Sequence, residues 1–306
     1  MTAALPAITS LTIGSRGSQL ALWQANYVAQ RLSERGLFSR IQIIKTSGDS
    51  LHTASLTEAG GKGLFTKEIE EALLAGSIDI AVHSLKDLPT ETPNGLRIAA
   101  IPVREDPRDA ILGSPLNDLP RGARIGTSSG RRAAQMRLLR PDLDIQPIRG
   151  NVDTRIRKLR EGQYDAIVLA VAGLRRLGFD QEIAEIFSPE QICPAPGQGA
   201  LAIQTRENDP ARQICAQLND HPSSQAVACE RAALAALGGG CQLPLGVFAQ
   251  PQGDSLHVIA IVVSPDGSHQ LHARATGALD QAEELGKSIA SDLLARGAGK
   301  ILAAEK

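Results

Sequence analysis

The sequence carries the same run of strand, glycine turn and helix at two separate places. Ile13-Gly14-Ser15 opens the first copy, and Ile125-Gly126-Thr127 opens the second. Each copy later reaches an apolar strand with a similar beginning, Asp79-Ile80-Ala81-Val82 in the first and Asp165-Ala166-Ile167-Val168 in the second. Apolar strands that alternate with amphipathic helices indicate βαβ units. The sequence therefore predicts two α/β domains of one type.

The rest of the chain predicts a smaller α+β domain. Gln198–Gln204 is predicted as a strand that returns to the first domain, and helical patterns follow it. Strands over Leu256–Val263 and His269–Thr276 form a hairpin, because Pro265-Asp266-Gly267 between them is a turn sequence. A last helix is predicted over 279–294. We therefore expect domain 1 over residues 1–103 and about 198–218, domain 2 over 104–197, and domain 3 over 219–306.

The cysteines argue against a metal or disulfide scaffold. Cys193, Cys215, Cys229 and Cys241 include no C-x-x-C pair and have no histidine at ligand spacing. We therefore expect reduced thiols and no metal site. No positively charged start precedes an apolar run, and no window approaches the ~18 continuous apolar residues of a membrane helix. This pattern predicts a cytoplasmic protein without a membrane segment.

Positive charge is concentrated in the middle of the chain. Residues 121–176 hold twelve arginines and one lysine against five acidic residues, which gives +8, although the whole chain carries −1. Such segregation indicates an anionic partner. Nucleic acid is poorly supported as that partner, because aromatic residues make up only 3% of the chain and the arginines do not run along one helix face.

Six of these arginines follow a predicted strand or open a predicted helix, namely Arg131, Arg132, Arg149, Arg155, Arg175 and Arg176. In βαβ domains, anions bind where strands end and helices begin. Guanidinium groups grip carboxylates with two parallel hydrogen bonds, so this placement suits a ligand with several carboxylates. The alternative is a solvated helix face, which we expect for Arg137, Arg140, Arg157 and Arg160.

A glycine-rich stretch, from Leu237 to Gly246, surrounds the last cysteine. Three consecutive glycines before Cys241 allow positive φ and close approach of the backbone, and Pro244 stiffens the exit. The thiol is therefore predicted at the tip of a shaped loop, where it could form a covalent adduct if its surroundings favour the thiolate. The alternative is a small buried apolar residue, as most free cysteines are.

One carboxylate lies at the end of a predicted strand over Ile78–His83. Asp87 follows Lys86 there, where it could stabilise a cationic intermediate or move protons. The alternative is a turn residue before Pro89. His83 lies within the strand, and we expect it to be packed and hydrogen-bonded and not to act as a base.

Three motifs in this chain support one another. They are Gly238-Gly239-Gly240-Cys241-Gln242-Leu243-Pro244-Leu245-Gly246, His83-Ser84-Leu85-Lys86-Asp87-Leu88-Pro89 and Arg149-Gly150-Asn151-Val152-Asp153-Thr154-Arg155. With them, essentially the whole sequence resembles the porphobilinogen deaminase (hydroxymethylbilane synthase) family. The resemblance implies two periplasmic-binding-protein-like domains and a third domain that carries a dipyrromethane cofactor as a thioether on Cys241. It also implies the reaction, in which four porphobilinogen molecules are deaminated and joined head to tail into the linear tetrapyrrole hydroxymethylbilane.

The resemblance also implies roles for individual residues. Asp87 is implied as the catalytic group, in contact with the pyrrole nitrogens. The residues implied to bind or surround cofactor and substrate are Arg16, Ser18, Gln24, Lys62, Ser84, Lys86, Thr127, Ser128, Ser129, Arg131, Arg132, Arg149, Asn151, Arg155, Arg176 and Gln198. The sequence departs from the family at Glu58, where bacterial relatives often have lysine, at Gly130 and at Pro196. The expected partner is porphobilinogen, with no nucleic acid and no membrane, and we expect a monomer.

The competing interpretation is a non-catalytic ligand-binding protein, because solute receptors and sensor domains share the duplicated fold. A secreted receptor would need a targeting segment and would have no use for a displayed thiol. A cytoplasmic sensor normally carries a DNA-binding module, and no helix-turn-helix pattern precedes Leu11.

Overall fold

Two five-stranded sheets with equivalent strand order are present in this computed structural model, which describes residues 10–50, 65–239 and 243–303. The chain divides into two compact units. Unit 1 comprises the described residues up to Arg104 together with Ala200–Ser224, and unit 2 comprises Glu105–Gly199 and the described residues from Gln225 onward.

Unit 1 contains one mixed sheet in the order β2-β1-β3-β10-β4. Strands β1, β2 and β3 run parallel, whereas β10 is antiparallel to its neighbours β3 and β4. The predicted return of the chain to the first sheet after Gln198 is therefore confirmed. The elements are β1 (Ser10–Ser15), α1 (Gln19–Ser33), β2 (Phe38–Ile43), α2 (Ser47–Ser50), α3 (Lys67–Leu74), β3 (Ile80–Ser84), β4 (Leu96–Ala100), β10 (Leu201–Arg206), α7 (Pro210–Ala216) and the start of α8 (His221–Ala236).

Helices cover both faces of this sheet because its strands are apolar on both sides. Ile80 and Val82 of β3 pack in a core cluster with α1 and α7, and Ala81 between them packs in a second cluster with α3. Successive side chains of a strand point to opposite faces, which accounts for the two clusters. Helix α1 starts at Ser18, whose hydroxyl accepts a hydrogen bond from the N–H of Ala21 (3.3 Å).

Unit 2 contains an equivalent sheet in the order β7-β6-β8-β5-β9. Strand β6 is parallel to β7 and β8, and β5 is antiparallel to β8 and β9. The elements are β5 (Asp109–Leu112), β6 (Arg124–Gly126), α4 (Gly130–Leu139), β7 (Asp144–Gln146), α5 (Val152–Arg160), β8 (Ala166–Ala170), α6 (Val171–Arg176), β9 (Ile183–Ile186), the rest of α8, β11 (Leu245–Gln252), β12 (Ser255–Val263), β13 (Gln270–Ala278), α9 (Ala282–Ala295) and α10 (Ala298–Ala303).

The predicted duplication is confirmed, down to one repeated contact. The N–H of Thr12 donates to Asp79 Oδ2 at 2.8 Å, and the N–H of Arg124 donates to Asp165 Oδ2 at 2.7 Å. In each pair the aspartate N–H donates in turn to the carbonyl of its partner, at 2.9 Å. The sequence echo between the two copies thus marks the same reciprocal bond, between β1 and the start of β3 in one sheet and between β6 and the start of β8 in the other.

The C-terminal part of unit 2 is an antiparallel sheet packed against helices. The predicted hairpin is present as β12 and β13, and the helix predicted over 279–294 is α9, but it is not the last, because α10 follows it. Strand β11 was missed, because it contains Gly246 and Pro251 and follows a loop sequence. With these elements the α/β class with a small α+β part is confirmed, whereas the boundaries of the three domains stay a prediction.

Parts of the chain bear on the predicted site but lie outside the described residues. These parts include Glu58, Lys62 and Cys241. The helices of the described ranges are all too short or too polar to span a lipid bilayer.

Candidate functional site

In unit 1, Asp87 lies on a turn that the core holds in place. Strand β3 ends at Ser84, and a single 3-10 turn covers Leu85–Asp87. The flanking Leu85 and Leu88 are buried, with 1% and 3% of their surface exposed, and the N–H of Leu85 donates to the carbonyl of Ala200 at 3.0 Å. Asp87 is exposed. Within the described part of the chain its carboxylate has no hydrogen bond or ion pair, so it is available to a ligand.

Two further predicted site residues meet beside this turn. Gln24 of α1 is buried, and its Nε2 donates to Ser84 Oγ at 2.8 Å. The bond fixes the last residue of β3 against α1. Gln24 therefore supports the Asp87 turn through Ser84, a contact that the sequence did not indicate.

His83 is packed and hydrogen-bonded, as predicted. Its Nε2 lies 3.1 Å from Gln204 Oε1, and Gln204 Nε2 donates to Glu70 Oε1 at 2.9 Å. Burial lowers the pKa of His83 to about 4, against a weaker opposing effect of Gln204. Burial also raises the pKa of Glu70. These three side chains form a buried polar row between α3, β10 and β3.

The turn between β1 and α1 presents Arg16 and Ser18. The guanidinium of Arg16 lies over the ring of Phe65, 4.0 Å from its centroid. The Ser18 hydroxyl caps α1. Both residues therefore have structural contacts in addition to the binding role that the resemblance implies.

In unit 2, Arg131 and Arg132 at the start of α4 share one buried carboxylate, that of Asp109. Arg131 Nη1 donates to Asp109 Oδ2 at 2.7 Å. Arg132 donates to Asp109 Oδ1 through Nε at 2.9 Å and through Nη2 at 2.7 Å. Asp109 is fully buried, and the arginines are 5% and 6% exposed. We call these three residues the arginine triad.

The triad keeps one positive charge in excess. Burial opposes ionisation of Asp109, but the charges of Arg131 and Arg132 outweigh it and hold the pKa of this carboxyl well below its usual range. Burial likewise lowers the pKa of Arg132, which Asp109 only partly offsets. Two guanidiniums against one carboxylate leave the triad itself with a net charge of +1, which favours an anionic ligand.

Gln198 completes the surroundings of the triad. Its Nε2 donates to Asp109 Oδ1 at 2.9 Å and to the carbonyl of Pro107 at 2.7 Å. Arg132 also donates to the carbonyl of Val168 at 3.1 Å. The hydrogen bond from Gln198 Nε2 therefore orients the Asp109 carboxylate.

The helix N-termini near the triad contain the predicted hydroxyl residues. Ser129 Oγ caps α4 by accepting from the N–H of Arg132 at 3.4 Å, and Thr127 Oγ1 accepts from the N–H of Ser129 at 3.2 Å. Ser128 Oγ donates to the carbonyl of Ile148 at 2.7 Å. Asn151 is the cap residue of α5 but makes no side-chain capping bond.

Arg155 differs from the triad arginines. Its Nε donates to the carbonyl of Gly150 at 2.7 Å, and no carboxylate of the described residues pairs with it. Burial, and after it the positive charge of Arg132, lowers the pKa of Arg155 to about 10. Arg176 donates to the carbonyl of Gly199 at 2.7 Å, and Arg149 is exposed. The first turn of α5 therefore carries a cation that an anionic ligand would stabilise.

The arginines expected on solvated helix faces are not all alike. Arg157 and Arg160 are exposed, and each makes a surface ion pair with a glutamate, Glu161 or Glu182. Arg137 donates to the carbonyl of Pro265 at 2.7 Å. For Arg140 the expectation was wrong, because this residue ends α4 half-buried and donates to two carbonyls and to Asp142.

The sequence did not reveal the buried acids. Asp109 opens the apolar strand Asp109-Ala110-Ile111-Leu112, and a charged residue at the head of such a strand was the available signal. Glu230 lies in α8 and is fully buried. Both acids need partners from distant parts of the chain, which no local pattern shows.

The described cysteines are poor candidates for covalent chemistry. Cys193, Cys215 and Cys229 are free and buried. Burial raises the pKa of Cys215 and of Cys229 to about 12 and raises the pKa of Cys193 further, so all three stay protonated at neutral pH. Before Cys241, Gly238 and Gly239 take φ values of 103° and 49°, as the display of a loop requires. The described residues contain no cluster suited to a metal ion.

Two models of one protein family match most of this chain. The family model described as "Porphobilinogen deaminase, dipyromethane cofactor binding domain" matches residues 11–213, and the model for the porphobilinogen deaminase C-terminal domain matches residues 224–295. Porphobilinogen deaminase of Geobacter metallireducens is 49% identical, covering 96% of this chain and 94% of its own. The Syntrophus aciditrophicus enzyme of the same name is 47% identical, covering 95% and 97%.

A solved periplasmic substrate-binding protein of an ABC transporter from Coxiella burnetii aligns with a TM-score of 0.43 and 16% identity, over 72% of this chain and 96% of that one. The two family models together span most of the sequence, and the relatives match nearly from end to end. The chain therefore belongs to the porphobilinogen deaminase family.

Proposed function

We propose that this protein is a porphobilinogen deaminase that deaminates four porphobilinogen molecules and joins them into hydroxymethylbilane. Family membership over nearly the whole chain supports this activity. The observation that carries it is the excess of positive charge on the buried arginine triad and on the half-buried Arg155. Each porphobilinogen carries two carboxylates, so such a region suits the substrate and its products.

Arg155 and the triad have different parts in binding. Arg155 has no carboxylate partner among the described residues, and it would gain most from an anionic ligand. Arg131 and Arg132 are fixed by Asp109 before any ligand binds, so they supply a preorganised positive field. Arg16, Lys86, Arg149 and Arg176 complete the proposed carboxylate-binding set, with the hydroxyls of Ser18, Thr127 and Ser129.

Asp87 is proposed as the catalytic residue. Loss of ammonia from the aminomethyl group of porphobilinogen leaves a cationic, electrophilic carbon on a pyrrole. An exposed carboxylate that no described side chain neutralises can stabilise that charge through the pyrrole N–H. Burial of Leu85 and Leu88 anchors the backbone of the turn that carries this carboxylate.

Cys241 is proposed to hold the dipyrromethane cofactor. The cofactor would be held by a bond from the Cys241 sulfur to the former aminomethyl carbon of a porphobilinogen, in place of the carbon–nitrogen bond, with the amine leaving with the thiol proton as ammonia. When bound, the cofactor supplies the pyrrole carbon to which substrate units are added. The excess positive charge in unit 2 fits its carboxylates. The raised pKa of the three other thiols supports Cys241 as the attachment point.

The remaining predictions are also part of this proposal. The protein acts as a monomer in the cytoplasm, without nucleic acid or membrane, and its chain forms three domains with the predicted boundaries. Light scattering on the purified protein tests the monomer.

A single-turnover assay of ammonia release tests the activity and the role of Asp87. Asp87→Asn keeps the shape of the side chain and removes its charge, so the rate should fall by ~10²–10³ with little change in affinity. Asp118→Asn is the matched control. Asp118 ends an equivalent 3-10 turn, Leu116–Asp118, that is also followed by a buried leucine and a proline.

Equal rates for the two variants would show that Asp87 is only a turn residue. Binding of porphobilinogen by the wild type without release of ammonia would instead support the ligand-binding alternative.

A further inference from the structure

The backbone of Cys193 and Pro194 joins two elements of unit 2. The carbonyl of Cys193 accepts from Arg131 Nη1 at 2.6 Å and from Gln135 Nε2 at 3.1 Å, and its N–H donates to Gln135 Oε1 at 2.7 Å. On the other side, the carbonyl of Pro194 accepts from the N–H of Val247 at 3.1 Å. This segment is therefore bonded both to α4, which carries the triad arginines, and to β11.

Gly246 shows how closely β11 and this segment approach. A Cβ at Gly246 would lie 2.6 Å from the carbonyl oxygen of Cys193. That oxygen cannot retreat freely, because Arg131 and Gln135 both bond to it. Only glycine fits at this position, and with glycine there the start of β11 packs directly against the Cys193–Pro194 backbone.

Glu230 fixes the same two pieces of backbone a second time. This glutamate of α8 is fully buried. Its Oε2 accepts from the N–H of Gly197 at 2.7 Å, and its Oε1 accepts from the N–H of Ala249 at 2.8 Å. Hydrogen bonds to a carboxylate are stronger than those between neutral groups, and burying a charge is costly without them. The Glu230 side chain therefore holds Gly197, which lies three residues after Pro194, and Ala249 of β11 at a set separation.

Glu230 is connected to the triad through two consecutive residues, Gly197 and Gln198. Gly197 precedes Gln198, whose Nε2 donates to Asp109 Oδ1 at 2.9 Å. Asp109 in turn binds both triad arginines. In the other direction, β11 begins at Leu245, separated from Cys241 only by Gln242, Leu243 and Pro244.

We propose that Glu230 is a positioning residue for cofactor attachment. It sets the strand that follows Cys241 at a fixed place relative to the arginine triad, so that a porphobilinogen held by its carboxylates is presented to the thiol. This inference rests on the proposed function, and it assigns to Glu230 no contact with substrate or cofactor.

The test is the rate at which apoprotein acquires its cofactor. Apoprotein is produced in cells that cannot make porphobilinogen, porphobilinogen is then added, and intact mass is followed over time. Glu230→Gln keeps the size of the side chain but turns an NH₂ group toward one of the two backbone N–H groups. Loading should slow by about tenfold or more, because a small misplacement of reacting groups costs that much.

Leu293→Ala is the control for stability. Leu293 of α9 is fully buried in the same core cluster as Leu245, Val247 and Ala249 of β11, so its truncation loosens the packing around this strand without removing either hydrogen bond of Glu230. All proteins are compared at a temperature where circular dichroism shows each to be folded. We expect Leu293→Ala to melt at a lower temperature than wild type and to load at close to the wild-type rate.

The outcomes separate this inference from the proposed function. If wild type acquires the cofactor and Glu230→Gln acquires it as fast as Leu293→Ala does, only the inference is overturned. Glu230 would then be a structural residue. Wild type that never gains mass would overturn the proposed function and the inference with it. If Glu230→Gln does not fold, Glu230→Asp replaces it, because a carboxylate shorter by one methylene cannot reach both N–H groups. Loading of that variant at the control rate would also contradict the inference.

Discussion

The buried carboxylate of Asp109 pairs with two arginines, Arg131 and Arg132, which were predicted from the sequence to bind a ligand. Replacing it with asparagine leaves two buried guanidiniums without a counter-charge, which should lower the free energy of unfolding by roughly 3–5 kcal/mol. Asp292→Asn, which breaks an exposed ion pair with Arg296, should cost at most about 1 kcal/mol. Urea unfolding measures both. Similar small losses would show that the triad adds little to stability.

Arg155 should behave in the opposite way. Its pKa is lowered to about 10 because burial and Arg132 both disfavour its charge. Arg155→Leu should therefore leave stability unchanged or raise it, while cofactor loading and substrate binding weaken. Arg160→Leu, on the exposed side of α5, should change neither property. A marked loss of stability in Arg155→Leu would mean that this arginine is a structural residue.

His83 makes the stability of the folded protein depend on pH. Its pKa is about 4 in the folded protein and 6.5 in the unfolded chain. Between these values the unfolded chain binds a proton that the folded protein does not, so stability falls as the pH falls from 6.5 to 4. The full loss is roughly 3 kcal/mol, at 1.36 kcal/mol for each pKa unit.

The comparison for His83 is His83→Gln, which can still donate to Gln204 but does not titrate. Urea unfolding across this pH range should show a shallower fall for the variant than for wild type. Parallel curves would mean that His83 is protonated as easily in the folded protein as in the unfolded chain.

The place of β11 depends on a single glycine, Gly246. Gly246→Ala puts a methyl group 2.6 Å from a fixed backbone oxygen, so it should lower the free energy of unfolding by about 1–3 kcal/mol. Gly277→Ala in β13 of the same sheet is the control, because its Cβ would meet only the side chain of Leu285, at 3.2 Å. Equal effects of the two substitutions in urea unfolding would argue against the close approach at Cys193.

Elements with a regular pattern were predictable, and elements defined by their partners were not. Helix α1 has a serine cap and buried residues at helical spacing, and the β12–β13 hairpin has a turn sequence between two apolar runs. Strand β11 has neither signal, since glycine and proline interrupt it. It is ordered by pairing with β12 and by the backbone of Pro194, which lie elsewhere in the chain.

For the molecule as a whole, duplication could be predicted because it repeats in sequence as well as in structure. The paired contacts of Asp79 and Asp165 are its clearest trace. The proposed site follows from residue type in the sequence, because arginines at helix starts and a carboxylate after a strand suit a polyanionic substrate. The supporting acids, Asp109 and Glu230, were not predictable, since their roles follow from tertiary contacts alone.

The central claim is that the chain is an enzyme with its cofactor on Cys241, and the mass of the intact protein tests it most directly. Wild type purified from cells that make porphobilinogen should be heavier than its sequence by two porphobilinogen units less two molecules of ammonia. Cys241→Ser should have the mass of its sequence and no turnover. Wild type without the added mass, or an adduct mapped to Cys193, Cys215 or Cys229, would contradict the account.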